Sequence, residues 1–567
     1  MTNENEKKTQ ERQEQVGDQQ KVSPVQSLIE DLLGVVQLFH TPNRVAYCTV
    51  NVGDRFENHP IESEGFAMIL ARQFYLTHGA GPKKRDLKEI QDQLSWMALF
   101  DGAESPIYTR YAKVGNAIFI DLCNSSGEYV KATPDGWEIN KQDINPPYFV
   151  RYAGMLPLPR PIKGGDVKDL APFLNIRSET DFILMVGWML GAMYPDGPFP
   201  MLTLHGPQGT GKSTTLKILR SLIDPSEAAL TALPKSERDL FISAMRTWLL
   251  SFDNVSEIKP NMTDSFCRLT NEGAIRNRML YTNSQEVILR AMRPVIFNGI
   301  PHFARQNDFI DRTIYVDQPN IPPSSRKPEQ EIWTAWEKAR PMILGALYNA
   351  LAVALRNFDH VKLDTFPRMA DFAHWVVAAE PACPWNEGVF IKAYESNRTE
   401  MIDMALDADP IGEAILKLME SHVEWINSST ELLNALKTIT PDLIQKDKDW
   451  PKAPNALSNR LMRLEGFLGN KGIEISRVRQ PENRLIVLKK VSLNMADERD
   501  SVPKSAIKED APYVQAKSPR QKAVAENEEV ALEETGDDIE EGSPVGEPAE
   551  IRELTIDEEK VYEEGEV

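Results

Sequence analysis

The stretch MLTLHGPQGTGKSTTLKIL, residues 201–219, restricts what this chain can fold into more than any other. Residues 201–204 are mostly apolar and read as a buried strand, and TLKILRSLI after the turn resumes apolar residues at helical spacing. Between them stand Gly206, Gly209 and Gly211, followed by Lys212. A strand running into a helix accounts for the flanks. The glycines point to a backbone that something must approach closely. The segment GPQGTGKS fits G-x-x-x-x-G-K-[ST] in its confirming context, strand before and helix after. In such a loop the glycines let consecutive amides turn inward around phosphate oxygens, and the helix start adds the positive end of its dipole. Gly206, Gly209, Thr210, Gly211 and Thr214 then form a cradle for ATP, Lys212 reaches the β and γ phosphates, and Ser213 holds Mg²⁺. A glycine turn with an incidental lysine is the competing reading.

A phosphate loop alone does not distinguish a kinase from a motor. Three later segments narrow the choice. TWLLSFDNVSEI contains an apolar strand ending in Asp253 and Asn254, and a carboxylate at such a strand end can bind Mg²⁺ through water. RPVIFNGI gives another apolar strand ending in Asn298, whose amide suits orienting the attacking water or sensing the γ-phosphate; a turn residue is the alternative. NDFIDRTIYVD places Arg312 before a further strand. There it could stabilise charge on a phosphate held by a neighbouring subunit, or instead pair with Asp308 or Asp311.

At 567 residues the chain exceeds the size at which one hydrophobic core stops growing, so two to four domains are expected. The four cysteines, 48, 123, 267 and 383, include no close pair, which argues against a disulfide framework or zinc knuckle and leaves them as packing residues. No apolar run approaches bilayer length and the N-terminal stretch is polar, so no membrane association and a cytoplasmic location are expected. The net charge of −20 looks hostile to nucleic acid. Residues 521–567, however, hold 18 acidic side chains against three basic ones, leaving the rest near neutral at −5.

The expected organisation is α/β. Polar, disordered residues 1–22 precede an α+β accessory domain over 23–165, closed by the proline-rich LPLPRPIKGG. A P-loop core with a parallel sheet follows over 166–328, then a helical lid over 329–405. Residues 406–491 read as three helices followed by two strands, the order of a winged helix, and 492–567 as a disordered acidic tail. In the tail an acidic docking or DNA-mimicking role is the minority reading.

GPQGTGKST, FDN at 252–254, the strand ending in Asn298 and the DR pair at 311–312 together resemble an AAA+ ATPase. Within that class NRMLYTNSQEVILRAMRPVIFNGI, 277–300, resembles the hairpin of superfamily 3 and MCM-type helicases, with its tip near Asn283 to Glu286. FPRMADFAHW, 366–375, resembles the lid of primase-helicase-like ATPases of phages, plasmids and genomic islands. The resemblance implies a ring, usually hexameric, that hydrolyses ATP between subunits and moves single-stranded DNA through its centre. It implies that Arg312 acts in trans and that Arg368 contacts the nucleotide from the lid; pairing with Asp371 is the alternative for Arg368. Two features depart from the pattern. Many such motors carry Glu beside the Mg²⁺ carboxylate where this chain has Asn254, which leaves Asp253, Glu257 or another carboxylate as base. The hairpin tip, NSQE, also lacks the lysine that helicases often present.

The candidate DNA contacts are therefore Arg276, Arg278, Arg290 and Arg293 along the hairpin, with Arg460, Arg463, Arg477 and Arg479 in the C-terminal module. The sequence reading is an ATP-driven replicative helicase of a mobile element, acting on single-stranded or forked DNA, with a primase or other replication proteins as natural partners. An AAA+ switch or loader that does not unwind is the alternative. A primase activity is not expected, because 25–165 offers no defensible metal-binding carboxylate cluster.

Overall fold

Strands that are apolar at nearly every position, such as MLTL at 201–204 and VIF at 295–297, need cover on both faces, and a parallel sheet with helices on each side supplies it. The computed structural model describes residues 24–142, 145–271, 273–278, 286–299, 307–363, 365–479 and 484–491. Both terminal segments expected to be disordered, and the tip residues 283–285 of the expected hairpin, lie outside the described residues. By its internal contacts the chain forms two compact units: the described residues up to Pro106 with Asn145–Pro146, and Ile107–Gln142 with the described residues from Pro147 to Val491. The boundary at Pro106 falls inside the stretch read as one accessory domain.

In the first unit α1 (Pro24–Leu33) precedes β1 (Gln37–His40), β2 (Ala46–Val52) and β3 (Arg55–Pro60), then α2 (Glu64–His78), α3 (Lys84–Phe100) and the short β4 (Ala103–Glu104). The sheet order is β3-β2-β1-β4. Leu28, Phe66, Leu70, Ile90 and Leu94 pack with Cys48 and Val50 as its core. Ser63 caps α2 by accepting from the Phe66 amide, and Gly79 ends it in the left-handed conformation.

The second unit opens with β5 (Ile107–Tyr108), and then an antiparallel meander of β6 (Tyr111–Val114), β7 (Ala117–Asp121), β8 (Glu128–Thr133) and β9 (Gly136–Lys141). β10 (Tyr148–Phe149) pairs with β5. After α4 (Glu179–Ala192) come β11 (Met201–His205), α5 (Lys212–Ile223), α6 (Glu237–Arg246), β12 (Leu250–Val255) and α7 (Pro260–Leu269). The antiparallel pair β13 (Gly273–Arg278) and β14 (Glu286–Ala291) leads into β15 (Val295–Gly299), α8 (Asn307–Ile310) and β16 (Thr313–Asp317). The central sheet has the order β12-β15-β11-β16, and every pair in it is parallel.

Side chains alternate across this sheet, as strand geometry requires. Leu202, Leu204, Ile296, Ile314 and Val316 share a core with α4 and α5, whereas Met201, Phe252, Val295 and Phe297 pack with α6 and α7. α4 is apolar all round and almost wholly buried, with Ser178 and Asp181 forming its capping box. The meander shares the first of these cores through Tyr111, Ile118, Ile120 and Val130. The long helix α9 (Glu329–Asn357) joins the same core with α10 (Ala370–Ala379) and α11 (Val389–Asp407). The C-terminal residues form α12 (Pro410–Glu420), β17 (Glu424–Ser428), α13 (Ser429–Ile439), α14 (Asp442–Gln445), α15 (Pro454–Asn470), β18 (Ile473–Arg479) and β19 (Arg484–Lys490). Their sheet runs β17-β19-β18, one strand more than the expected hairpin, and a separate apolar cluster supports it.

Candidate nucleotide-binding site

Parallel strands present all their carboxyl ends at one edge, where ligands of open α/β sheets bind. The glycine loop leaves β11 at that edge. Gly206, Gly209 and Gly211 all have positive φ, at 143°, 85° and 80°. A Cβ on Gly206 would stand 2.5 Å from the Gln318 carbonyl oxygen, so at this position glycine answers both a backbone and a packing demand. Asn175 braces the loop from outside, its Nδ2 donating to the carbonyls of Thr210 (2.8 Å) and Pro319 (2.6 Å). Gln318 Nε2 donates to Thr215 Oγ1 at 2.8 Å, holding the first turn of α5 to the end of β16.

Lys212 Nζ donates to the carbonyls of Gly206 and Pro207, both at 2.7 Å, and lies 3.4 Å from Thr210 Oγ1. Partial burial holds its pKa below the ordinary lysine value, although Asp253 pulls the other way. An ammonium satisfied mainly by loop carbonyls, in a half-desolvated setting, is suited to exchanging those contacts for phosphate oxygens.

β15 lies between β11 and β12, and this order brings three side chains together. Ser213 Oγ donates to Asp253 Oδ1 at 3.1 Å, and Asn298 Nδ2 donates to Ser213 Oγ at 3.0 Å and to Asp253 Oδ1. Asn298 is buried, and its Oδ1 has no partner among the described residues. Asn254, beside this group in sequence, is exposed and has a φ of 55°; the β12–β15 register shifts between Phe252 and Val255 at this point. Asn is among the few non-glycine residues that adopt that conformation readily. Glu257 is exposed and lines a cavity of about 760 Å³ with Thr203, Met404, Arg460 and Phe467, on the sheet face opposite α5.

Arg312 precedes β16 and so stands at the opposite, amino edge of the sheet. Five strand residues, or about 17 Å, separate it from the carboxyl end, out of reach of the loop of its own chain. Its Nη1 donates to the Cys267 carbonyl at 2.8 Å, its Nη2 pairs with Asp308 at 3.3 Å, and its Nε is buried without a partner. Arg368 joins it there. It pairs with Asp308 and, at 3.2 Å, with Asp311, which also accepts from Arg398 Nε at 2.9 Å. The expectation that Arg368 reaches the nucleotide of its own chain does not fit this geometry, and Asp371 is not its partner.

The candidate DNA contacts divide. Arg293 is a correction: its guanidinium donates to the carbonyls of Ala244, Thr247 and Met292 and lies over the Trp248 ring at 5.0 Å, with burial pushing its pKa down to about 10. It anchors the base of β14, with Nε and Nη1 committed to these carbonyls. Arg460 is also engaged, paired with the α12 N-cap Asp409 at 2.6 Å. Arg276 and Arg278 take positions on β13, opposite Ile288 and Glu286 of β14, where Arg290 is exposed. Arg463 is exposed beside the cavity; Arg477 pairs with Glu465 at 3.2 Å; Arg479 is exposed.

Four supporting residues escaped the sequence reading. Asn175 and Gln318 carry no motif. Arg220 of α5 donates to the Leu249 carbonyl and Ser251 Oγ, both at 2.6 Å, binding the helix that follows the glycine loop to β12. Arg110 is fully buried, pairs with Asp224 at 3.0 Å and donates to the carbonyls of Asp121 (3.2 Å) and Leu156 (2.9 Å). Only an arginine inside an apolar run could have signalled such a role.

Comparison with known families identifies the chain as a replication protein of a mobile element. Residues 167–403 match the family described as actinomycete integrative conjugative element replication protein, and residues 411–502 match its C-terminal domain, together more than half of the chain. No curated protein matches it. Among solved structures, the A-form apo NrS-1 C-terminal region aligns with 82% of this chain and 99% of its own at 11% identity and a TM-score of 0.37. An apo structure of the same region aligns with 84% and 100% at 13% identity and 0.36. Similarity this loose says nothing of function. No helix among the described residues is long and apolar enough to cross a membrane.

Proposed function

We propose that the chain is an ATP-dependent DNA helicase of the ring-forming, superfamily 3-like AAA+ type, moving on single-stranded DNA during replication of the element. The observation that carries this reading is the convergence of Ser213, Asp253 and Asn298 beside the glycine loop. The residues fit a nucleoside triphosphate with its cation: a cradle with three positive-φ glycines, a lysine resting on carbonyls, a hydroxyl–carboxylate pair, and a buried amide oxygen lacking a partner. Ser213 and Asp253 would hold Mg²⁺, which supplies charge neutralisation of the phosphates. Lys212 binds the β and γ oxygens, the amides of Gly209 to Ser213 orient them, and Asn298 positions the attacking water. Arg312, directed away from its own loop, serves the site of the next subunit in a hexamer. DNA follows the basic surfaces of the β13–β14 pair and of the winged-helix-like C-terminal module.

A second reading, a switch or loader that binds DNA without unwinding, is favoured by Asn254, which puts no carboxylate where such motors often carry their base. The test is DNA-stimulated ATP hydrolysis together with strand displacement on forked DNA. Lys212→Ala is expected to lower hydrolysis by roughly 100-fold or more, the effect of removing one charge-stabilising group. Unimpaired hydrolysis in that variant would remove the loop assignment. Hydrolysis and DNA binding without displacement would select the switch.

A further inference from the structure

Two arginines face each other at the open end of the β18–β19 hairpin. Arg479 and Arg484 are the last register pair before the turn, and both are exposed. Residues directly opposite on antiparallel strands have Cβ atoms only about 5 Å apart, and like charges there destabilise the pairing. Arg477, two residues before Arg479, lies on the same side and pairs with Glu465. Lys489 and Lys490 are exposed at the other end of β19. Residues 452–491 as a whole hold nine Lys and Arg against three Glu. Such a surface calls for a polyanion.

The same chain encodes one. Residues 526–541 contain the acidic doublets 528–529, 533–534, 537–538 and 540–541, within a tail of net charge −15. The nearest doublet is 37 residues past Val491. A stretch of that length can reach at most about 120–130 Å when fully extended, far more than the docking needs. Arg484 lies seven strand residues back from Val491, about 24 Å. Tethering at that range gives an effective concentration in the millimolar regime, ample for contacts between oppositely charged groups.

We propose that the acidic segment 526–541 docks on the Arg479–Arg484 face of its own chain, holding the surface that polynucleotide phosphates would otherwise take. Phosphates must then displace carboxylates, which lowers affinity for DNA at low salt and flattens its salt dependence, because fewer counterions are released in the exchange. Docking depends on contact, since charges farther apart than about 8 Å are screened at physiological ionic strength.

Two measurements on the full chain test this, and only the second rests on the DNA reading above. Carbodiimide coupling without DNA, read by mass spectrometry, should join tail carboxylates to Lys489 and Lys490. Arg479→Ser with Arg484→Ser, which leaves both lysines in place, should reduce those cross-links at least threefold. The second compares the chain with a tail variant carrying Glu528→Gln, Glu529→Gln, Glu533→Gln, Glu534→Gln, Asp537→Asn and Asp538→Asn, by anisotropy of a labelled single-stranded oligonucleotide. The variant should bind about tenfold tighter at 50 mM salt, with a steeper salt slope and no difference near 0.5 M. Absence of the cross-links, or cross-links indifferent to the two arginines, overturns the docking whatever the affinities show. Arginine-dependent cross-links in a chain that ignores the oligonucleotide uphold the docking and instead remove the DNA reading.

Discussion

Asn254 shows how one backbone angle can account for a residue that motif reasoning reads as chemistry. It follows the Asp253 that Ser213 and Asn298 share, yet it is exposed, and its positive φ coincides with the irregularity that ends the regular pairing of β12. Glycine should therefore replace it at no conformational cost, whereas a β-branched residue is forced into the left-handed region. Asn254→Gly is expected to leave the urea midpoint near that of the parent chain, and Asn254→Val to lose about 1–2 kcal/mol. Equal loss in both would show that the side chain, and not the angle, is what the position requires. Asn298 is the converse case, a buried amide whose two donor contacts define the site while its oxygen stays without a partner.

At the level of elements, the proline-rich run LPLPRPIKGG is a strap across α9 and not a free linker. The Ile162 amide donates to the Pro341 carbonyl at 2.9 Å, within a helix that carries that proline in its interior. Gly345, one turn on, leaves no room: a Cβ there would overlap the Ile162 carbonyl oxygen. The clash is with main chain, which cannot rotate away as a side-chain tip can. Gly345→Ala is expected to destabilise the protein by about 1–3 kcal/mol despite the better helix propensity of alanine, read as a lowered urea midpoint. A neutral or raised midpoint would show that the strap is loosely held. α15 teaches a related lesson. Its Arg460 is tied to Asp409, so that cation is committed within the fold, whereas Arg479, Arg484, Lys489 and Lys490 are exposed on the hairpin.

For the whole molecule, the boundary between the compact units follows from one buried ion pair and a shared core. Arg110 reaches from the start of the meander to Asp224 at the end of α5, and Asp224 also accepts from the Trp248 and Leu249 amides at 3.0 and 3.1 Å. Removing one partner leaves a buried charge uncompensated, so Arg110→Ala should cost about 3–5 kcal/mol in chemical denaturation and take the central sheet with it. Under the proposed function Arg312 belongs to this scale too, because its distance from its own glycine loop leaves it to act only on the site of a neighbouring subunit. Arg312→Ala is expected to retain nucleotide affinity while lowering hydrolysis by roughly 10³-fold or more. Adding it to parent protein should depress activity out of proportion to its share. Simple dilution would argue against a site shared between subunits.

The sequence by itself determined the glycine loop between strand and helix, the apolar strands that end in Asp253 and Asn298, and the contrast between a basic hairpin and an acidic tail. Each of these is local: a spacing, a periodicity or a run of charge that any conformation of the neighbouring chain would leave in place. Only the tertiary structure decided that β15 separates β11 from β12, so that Asn298 meets Ser213 and Asp253 across 85 and 45 residues. It also decided that Arg293 turns inward, that Arg368 joins Arg312 and not the loop, and that residues 107–142 share a core with the sheet. These depend on strand order and on which buried polar group finds which partner. Such choices are made by long-range packing and desolvation, which leave no periodic mark on the chain.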